Sequence, residues 1–306
     1  MGASCLSGTD MELQLTRIWD SFIDPLQQDS RILDLATGNG TVARICAARA
    51  RHKNIRICID AVDAAAIDPP RYTPDPEGLF QDIRFYAGVQ LESLPFEDEV
   101  FDGIVSQFGF EYAGDPRATS ETVRVLAPRG RIRLVVHSRG GAVSRDIGRR
   151  LQRLRIVLAD NGILSLILRL ARAAEIGDRE TLRCESANLS PAMEQVHQLS
   201  VQVPPDDSAL FYAREFLQVW HLKERYRPSE LRRSLELGWQ NARGVAMRQE
   251  QMLKVARSRE EMHSFQDQFT TAGLEGAQFT EIKDHRKGYQ IAWLLDARKP
   301  DTGRNR

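Results

Sequence analysis

Between Arg31 and Arg51 the chain passes from a short apolar segment, RILDLA, through Thr37–Gly40 (TGNG) into a helical run that opens at Thr41. A strand that turns into a helix within four residues needs unusual backbone freedom. Gly38 and Gly40 supply it, and neither carries a Cβ that would hold a ligand away. A strand, glycine turn and helix in this order belong to an open α/β sheet, which binds ligands at the carboxyl ends of its strands. The alternation continues downstream. Residues 55–63 (IRICIDAVD) place Ile55, Ile57, Ile59 and Ala61 on one face and read as a second strand. Residues 68–78 hold four prolines and are expected to be loop. Further strands are expected at 83–87, 101–106 and 131–137, with a helix over 115–126. Such alternation predicts a parallel sheet with helices on both faces.

The alternation stops near Gly140. From there to residue 257 only helical patterns appear, the strongest over 151–173, 207–226 and 229–257. Strand character returns at 277–284 and 288–297. Ahead of it, Ser258 and Glu261 have capping-box spacing and open a helix expected to end at Gly273. A leader helix is expected over 11–27. The organisation predicted is therefore a leader helix and Rossmann-like core over 1–140, a helical insertion over 141–257, a return to the core sheet over 258–300 and a tail at 301–306.

The 306 residues balance 42 basic against 42 acidic side chains, which gives no global reason to expect a polyanionic partner. Nucleic acid is not expected. The four cysteines, Cys5, Cys46, Cys58 and Cys184, form no C-x-x-C pair, and no metal-ligand spacing is present. A reduced, cytoplasmic protein is the simplest reading. Met1–Asp10 lacks the features of a signal peptide, and no window of about twenty residues stays apolar, so no transmembrane segment is expected.

The glycine turn alone does not decide its ligand, because Gly38–x–Gly40–x–x–Ala43 also matches the dinucleotide fingerprint. Three features narrow the choice. Asp34 lies inside the first strand, where a carboxylate receives an ammonium group and repels a pyrophosphate. Asp63 ends the second strand, where acidic residues accept ribose hydroxyls. Residues 91–102 read LESLPFEDEVFD just before a strand.

In these segments the chain resembles the class I S-adenosylmethionine-dependent methyltransferases, in the group that includes small-molecule methyltransferases. The resemblance rests on ILDLATGNG at Ile32–Gly40, QLESLPFEDEVFD at Gln90–Asp102, SQFGFEY at Ser106–Tyr112, RVLAPRGRI at Arg124–Ile132 and FTTAG at Phe269–Gly273. It implies a doubly wound, mostly parallel seven-stranded sheet with an antiparallel last strand, interrupted by the helical insertion between strands five and six. It implies S-adenosylmethionine as cofactor and a small-molecule, apolar or aromatic methyl acceptor as partner. Asp34, Ala36, Thr37 and Gly38 would face the methionine portion, with Asn39 and Gly40 completing the turn. Asp63 and Ala64 would hold ribose and adenine, Gln90, Leu91 and Glu92 would line adenine, and Ser106 and Gln107 would sit near the methyl donor. Two departures stand out. Gln90 occupies a position usually held by Asp, and the loop after Asp63 is proline-rich. Asp60 competes with Asp63 for the ribose role.

His137 closes the fifth strand and is a candidate general base. Glu111 and Tyr112 are candidates for orienting a substrate. His197, His221, His263 and His285 are expected on the surface. The insertion admits three readings: a lid over the active site, a contact for a homodimer, or an interfacial helix. Residues 129–183 hold thirteen Arg and no Lys against five acidic residues, and the run ILSLILRL lies among them. Phe211, Tyr212, Phe216, Trp220 and Trp239 are either pocket lining or helix–helix core. Two rival functions use the same turn: a non-catalytic S-adenosylmethionine-binding subunit and a nicotinamide-dependent oxidoreductase.

Overall fold

The computed structural model describes residues 9–301; Cys5 lies outside them. Helix α1 (Thr9–Ile23) ends four residues before the expected boundary. Pro25 explains this, since the residue before a proline is driven out of the helical region. Trp19, Phe22 and Ile23 of α1 are fully buried. Phe22 lies over Gly103, where a Cβ would come within 3.0 Å of its ring and 2.8 Å of the Ile32 side chain.

Strand β1 (Arg31–Leu35) leads into α2 (Thr41–His52). Strand β2 (Cys58–Asp63) is three residues shorter than its alternation suggested. Asn54, at φ 55, turns the chain, and residues 55–57 run in beside the ends of neighbouring segments: Ile55 N donates to Ala50 O, and Arg56 O accepts from Asp29 N. The proline-rich stretch contains one helical turn, α3 (Pro69–Tyr72), which tolerates proline at its start. Strands β3 (Ile83–Ala87) and β4 (Phe101–Gln107) follow, then α4 (Arg117–Val125). Strand β5 (Leu126–His137) begins five residues earlier than expected, because a register shift against β4 and a positive φ at Arg129 absorb the expected turn within the strand.

The chain then forms α5 (Ala142–Leu158), α6 (Ile163–Ile176), α7 (Arg179–Ser186), α8 (Leu189–Gln202), α9 (Ser208–His221) and α10 (Pro228–Val255). Helix α11 (Arg259–Thr271) carries the expected capping box, with Ser258 Oγ accepting from Glu261 N. Strands β6 (Glu275–Lys283) and β7 (Gln290–Arg298) close the fold.

The seven strands form one sheet in the order β3-β2-β1-β4-β5-β7-β6. Six run parallel, and β7, inserted between β5 and β6, is antiparallel to both. This is the doubly wound sheet with an antiparallel last strand that the motifs implied. The order reverses between β1 and β4, so their carboxyl ends open the crevice in which such sheets bind ligands. No described helix is long and apolar enough to cross a membrane.

The described chain divides into two compact units, one formed by residues up to Ser144 and from Val255, the other by Arg145–Lys254. The first holds the sheet. Its core gathers Leu33, Phe101, Ile104, Leu134, Phe265, Phe269 and Leu295. The second is all-helical with its own core around Leu154, Leu164, Ile167, Phe216 and Leu235. The single helix expected over 151–173 is two helices. Gly162 marks the break: a Cβ there would meet Ile156 O at 2.4 Å and Val157 O at 2.5 Å. The run ILSLILRL buries Ile163, Leu164, Leu166, Ile167, Leu168 and Leu170, so this segment offers no apolar face to a lipid surface. In α6, Arg169 is paired with Glu185 and Arg172 with Glu236. Phe216 is buried in this core, Tyr212, Trp220 and Trp239 pack on it, and Phe211 is exposed.

Asp207 fixes the start of α9. Its Oδ1 accepts from Ala209 N at 3.0 Å, and its Oδ2 accepts from the Arg153 guanidinium at 2.6 and 2.9 Å, with the carboxylate buried. Asp207→Ala removes a cap and strands a largely buried guanidinium. It is expected to destabilise the helical unit by about 3–5 kcal/mol, whereas Asp207→Asn, which keeps the cap, loses less. Urea unfolding of the full chain followed by helical circular dichroism measures both.

Candidate functional site

The turn after β1 is held by two carboxylates. Asp34 is buried, and its Oδ2 accepts from Thr37 Oγ1 at 2.6 Å and from Ala43 N at 3.1 Å. Gly40, the residue before α2, offers no side-chain cap. Asp34 takes over that task from the preceding strand. Its other oxygen, Oδ1, has no donor among the described residues. Capping therefore occupies one oxygen of this side chain and leaves the other open. Burial pushes the Asp34 carboxyl up to about 7, against the Thr37 and Ala43 hydrogen bonds; the nearby Asp63 charge adds a smaller push upward.

Asp63, at the end of β2, reaches across to the same turn. Its Oδ2 accepts from Gly38 N at 2.8 Å and its Oδ1 from Ala65 N at 2.8 Å. Each carboxylate oxygen keeps a second lone pair. Asp60 is engaged differently. It is buried in the middle of β2, accepting from Arg31 Nη2 at 3.0 Å and Tyr86 Oη at 3.1 Å. Gly38 adopts φ 55, and a Cβ built there would meet nothing within 4 Å. Gly40 differs: its Cβ would press on the Phe85 ring at 3.0 Å, so packing and its φ of 75 explain that glycine. Ala36, Thr37 and Asn39 complete the turn, and Ala36 holds a positive φ of 53.

The β4 end closes on this turn. A Cβ on Gly109 would lie 2.5 Å from Ala36 Cβ, so the two loops are as close as backbones allow. Ser106 is fully buried and donates to Leu35 O at 2.7 Å, which ties β4 to β1 within the sheet. Gln107 Oε1 accepts from the Trp19 indole at 2.8 Å. Ala64 and Gln90 are exposed, Glu92 is half-buried and Leu91 is buried in the core. The structure thus brings Asp34, Thr37, Gly38, Asp63, Ala36 and Gln107 to one edge. It places Ser106 and Leu91 in packing positions.

The segment LPFEDEVFD is a structural clamp. Phe96 stands edge-on between Tyr86 and Phe101, with ring centroids 5.4 and 4.9 Å away. Arg124 donates to Leu94 O, Phe96 O, Asp98 and Glu121, and these bonds hold its guanidinium above the usual arginine range.

A second polar pair lies at the ends of β4 and β5. Glu111 sits in the turn Phe110–Tyr112, and His137 is the last residue of β5. Glu111 Oε1 lies 2.7 Å from His137 Nδ1 and accepts from His137 N at 2.9 Å. The Phe108 ring stacks on the imidazole at 4.2 Å, tilted by 32°. Sequence reasoning named His137 and Glu111 separately. It missed Phe108, Gly109, Trp19 and Arg257, whose partners are distant in sequence and leave no local pattern.

A cavity of about 610 Å³ lies elsewhere, beside the amino end of β2 and the carboxyl end of α2, with Arg51, Arg56 and Arg84 in its wall. It shares none of the residues around Gly38.

The raised Asp34 carboxyl has a consequence for stability. It binds its proton more tightly in the folded chain than in the unfolded one, so stability falls as pH rises from the ordinary aspartate range through about 7. Asp34→Asn keeps an acceptor for Thr37 and Ala43 without a charge. The ligand-free variant is expected to be more stable than the parent at pH 8, by about 4 kcal/mol, with the difference vanishing below the ordinary aspartate range, about pH 3–4. Thermal melts across this range test it; equal stability at pH 8 would refute the ionised, buried state.

Comparison with known proteins places these features. Residues 32–130 match a family described as "Methyltransferase domain". A ubiquinone/menaquinone biosynthesis C-methyltransferase, UbiE, from Rickettsia massiliae is 33% identical over 126 residues, covering 40% of this chain and 50% of that protein. The chain thus spans about half the length of the curated relatives it matches. Among solved structures, a putative S-adenosyl-L-methionine-dependent methyltransferase from Methanococcus maripaludis aligns over 96% of this chain and 89% of its own, with 14% identity and a TM-score of 0.47. The YcgJ protein from Bacillus subtilis aligns over 46% of this chain and 58% of its own, with 25% identity and a TM-score of 0.35. The glycine turn, the acidic strand ends and the sheet order are those of a class I S-adenosylmethionine-dependent methyltransferase domain, and residues 32–130 match that domain.

Proposed function

We propose that the chain moves a methyl group from S-adenosylmethionine to a small-molecule acceptor, at a carbon atom of an aromatic or quinol-like ring. The observation that carries the reading is the pair of carboxylates around Gly38: Asp34 presents a buried oxygen without a donor, and Asp63 grips the turn while keeping lone pairs. Such a cradle fits a zwitterionic nucleoside. The printed name of the relatives, C-methyltransferase, supports carbon as the site of transfer.

When bound, the cofactor supplies a methyl group on a sulfonium sulfur. Asp34 Oδ1 would receive its ammonium group, directly or through water. Thr37, Ala36 and Asn39 shape the turn around its amino-acid end, and Gly38 leaves room for close approach. Asp63 would accept the ribose hydroxyls beside Ala64. Gln90 would accept from the adenine amino group with its amide oxygen, next to Glu92. The Gln107 amide, fixed by Trp19, faces the β4 end of the same edge. Because the donor is already activated, these side chains act mainly by alignment and exclusion of water.

Calorimetric titration with S-adenosylmethionine, NADH and NADPH separates the possible cofactors. Binding of S-adenosylmethionine alone is expected, weakened at least about tenfold in Asp63→Ala, which loses roughly 1.4 kcal/mol or more. Tight dinucleotide binding without an S-adenosylmethionine signal would overturn the reading. Incubation with methyl-labelled cofactor and reduced 1,4-naphthoquinol, followed by mass spectrometry, is expected to place the label on ring carbon. Label on oxygen would keep the activity and reject the carbon assignment.

A further inference from the structure

We infer that His137 is the base that takes a proton from the methyl acceptor and that Glu111 is the residue that positions it; the inference rests on the methyl-transfer reading above. The two residues end or follow adjacent parallel strands, β5 and β4, on the edge where this sheet opens its crevice. Glu111 grips one residue twice. Its Oε1 accepts the main-chain N–H of His137 at 2.9 Å and meets the ring Nδ1 at 2.7 Å. An ionised carboxylate only accepts, so this contact puts the ring proton on Nδ1 and leaves the Nε2 lone pair for chemistry.

Burial pulls the Arg257 guanidinium below the usual arginine range, the Glu111 charge opposes that pull, and the guanidinium rests over the Phe265 ring at 4.4 Å. The Arg257 backbone is bonded to the same strand end: Arg257 N donates to His137 O at 2.8 Å, and Arg139 N donates to Arg257 O at 2.9 Å. Glu111 is buried, and its Oε2 has no donor among the described protein groups. A packing role alone would not need a buried carboxyl group with one oxygen unsatisfied, which costs about 1–3 kcal/mol or more. Phe108 covers one face of the imidazole at φ 58, a strained setting for an aromatic residue, and the Tyr112 ring stands edge-on at 6.4 Å. Strained backbone of this kind clusters at working sites.

The chemistry names the acceptor class: a small molecule with a removable proton, of which a quinol or phenol hydroxyl is the fitting case. The O–H bond breaks, its proton passes to Nε2, and its electron pair enters the ring and raises electron density on the neighbouring carbons. One such carbon forms the bond to the methyl group, while sulfur keeps the pair of the broken carbon–sulfur bond. The ring carbon would then lose its own proton to water to restore aromaticity, His137 would return its proton to the oxygen, and no oxidant is required.

The test has two parts. In protein labelled with ¹⁵N-histidine, with Asp34, Asp63 and all cofactor contacts intact, the His137 ring is expected to be protonated at Nδ1 and bare at Nε2, and Glu111→Gln is expected to weaken that preference. A parent ring protonated at Nε2 overturns the inference whatever the activity. With reduced 1,4-naphthoquinol and labelled cofactor, His137→Gln is expected to lower kcat on the order of 100-fold with S-adenosylmethionine affinity unchanged, and added imidazole is expected to restore part of the rate in His137→Ala. Rates within twofold of the parent in His137→Gln overturn the inference and leave methyl transfer standing. Loss of S-adenosylmethionine binding by the parent chain overturns the reading beneath it.

Discussion

The first turn of this sheet depends on burying a carboxylate where a helix begins. Asp34 sits at the end of β1, yet it does the work of a cap for α2 through Ala43 N and organises Thr37 on the way. Helix starts leave N–H groups without partners, and a nearby negative charge is favourable there. That compensation offsets part of the cost of burying a carboxylate between strand and helix, although burial still wins. Asp63 then pins Gly38 from the neighbouring strand, and the Gly109 backbone presses on Ala36 from the other side. Strands β2, β1 and β4 are thereby tied to one loop, which is the preorganisation that catalysis by alignment requires.

Much of this was legible because it is local. The strand, glycine turn and helix of residues 31–51 are fixed by neighbouring residues, and so is the Ser258–Glu261 capping box. The acidic strand ends could be named, but alternation alone could not tell Asp60 from Asp63. Their difference lies in Arg31 and Tyr86, which reach Asp60 from other strands, and in the Gly38 N–H, which reaches Asp63 from β1. Ser106 looked like a ligand contact in a motif, yet its hydroxyl satisfies the Leu35 carbonyl inside the sheet.

The misread parts are those decided by tertiary packing. The break at Gly162 comes from the carbonyls of Ile156 and Val157, not from a local helix breaker strong enough to stand out. Helix α7 buries no residue, so it offered no apolar period to find. The aromatic residues of the helical unit were ambiguous in sequence because pocket lining and core share a composition; Phe216 belongs to the core.

The point at which the insertion leaves the sheet unit is bonded to the point at which it returns. Ser138 and Arg257 form a parallel bridge, and Arg257 N donates to His137 O. The long helical excursion is therefore a loop with a closed neck, and its ends are held by the sheet unit itself. Closing a loop costs entropy that grows only slowly with its length. Helices beyond such a neck can be lengthened, replaced or locally melted while the neck itself stays bonded.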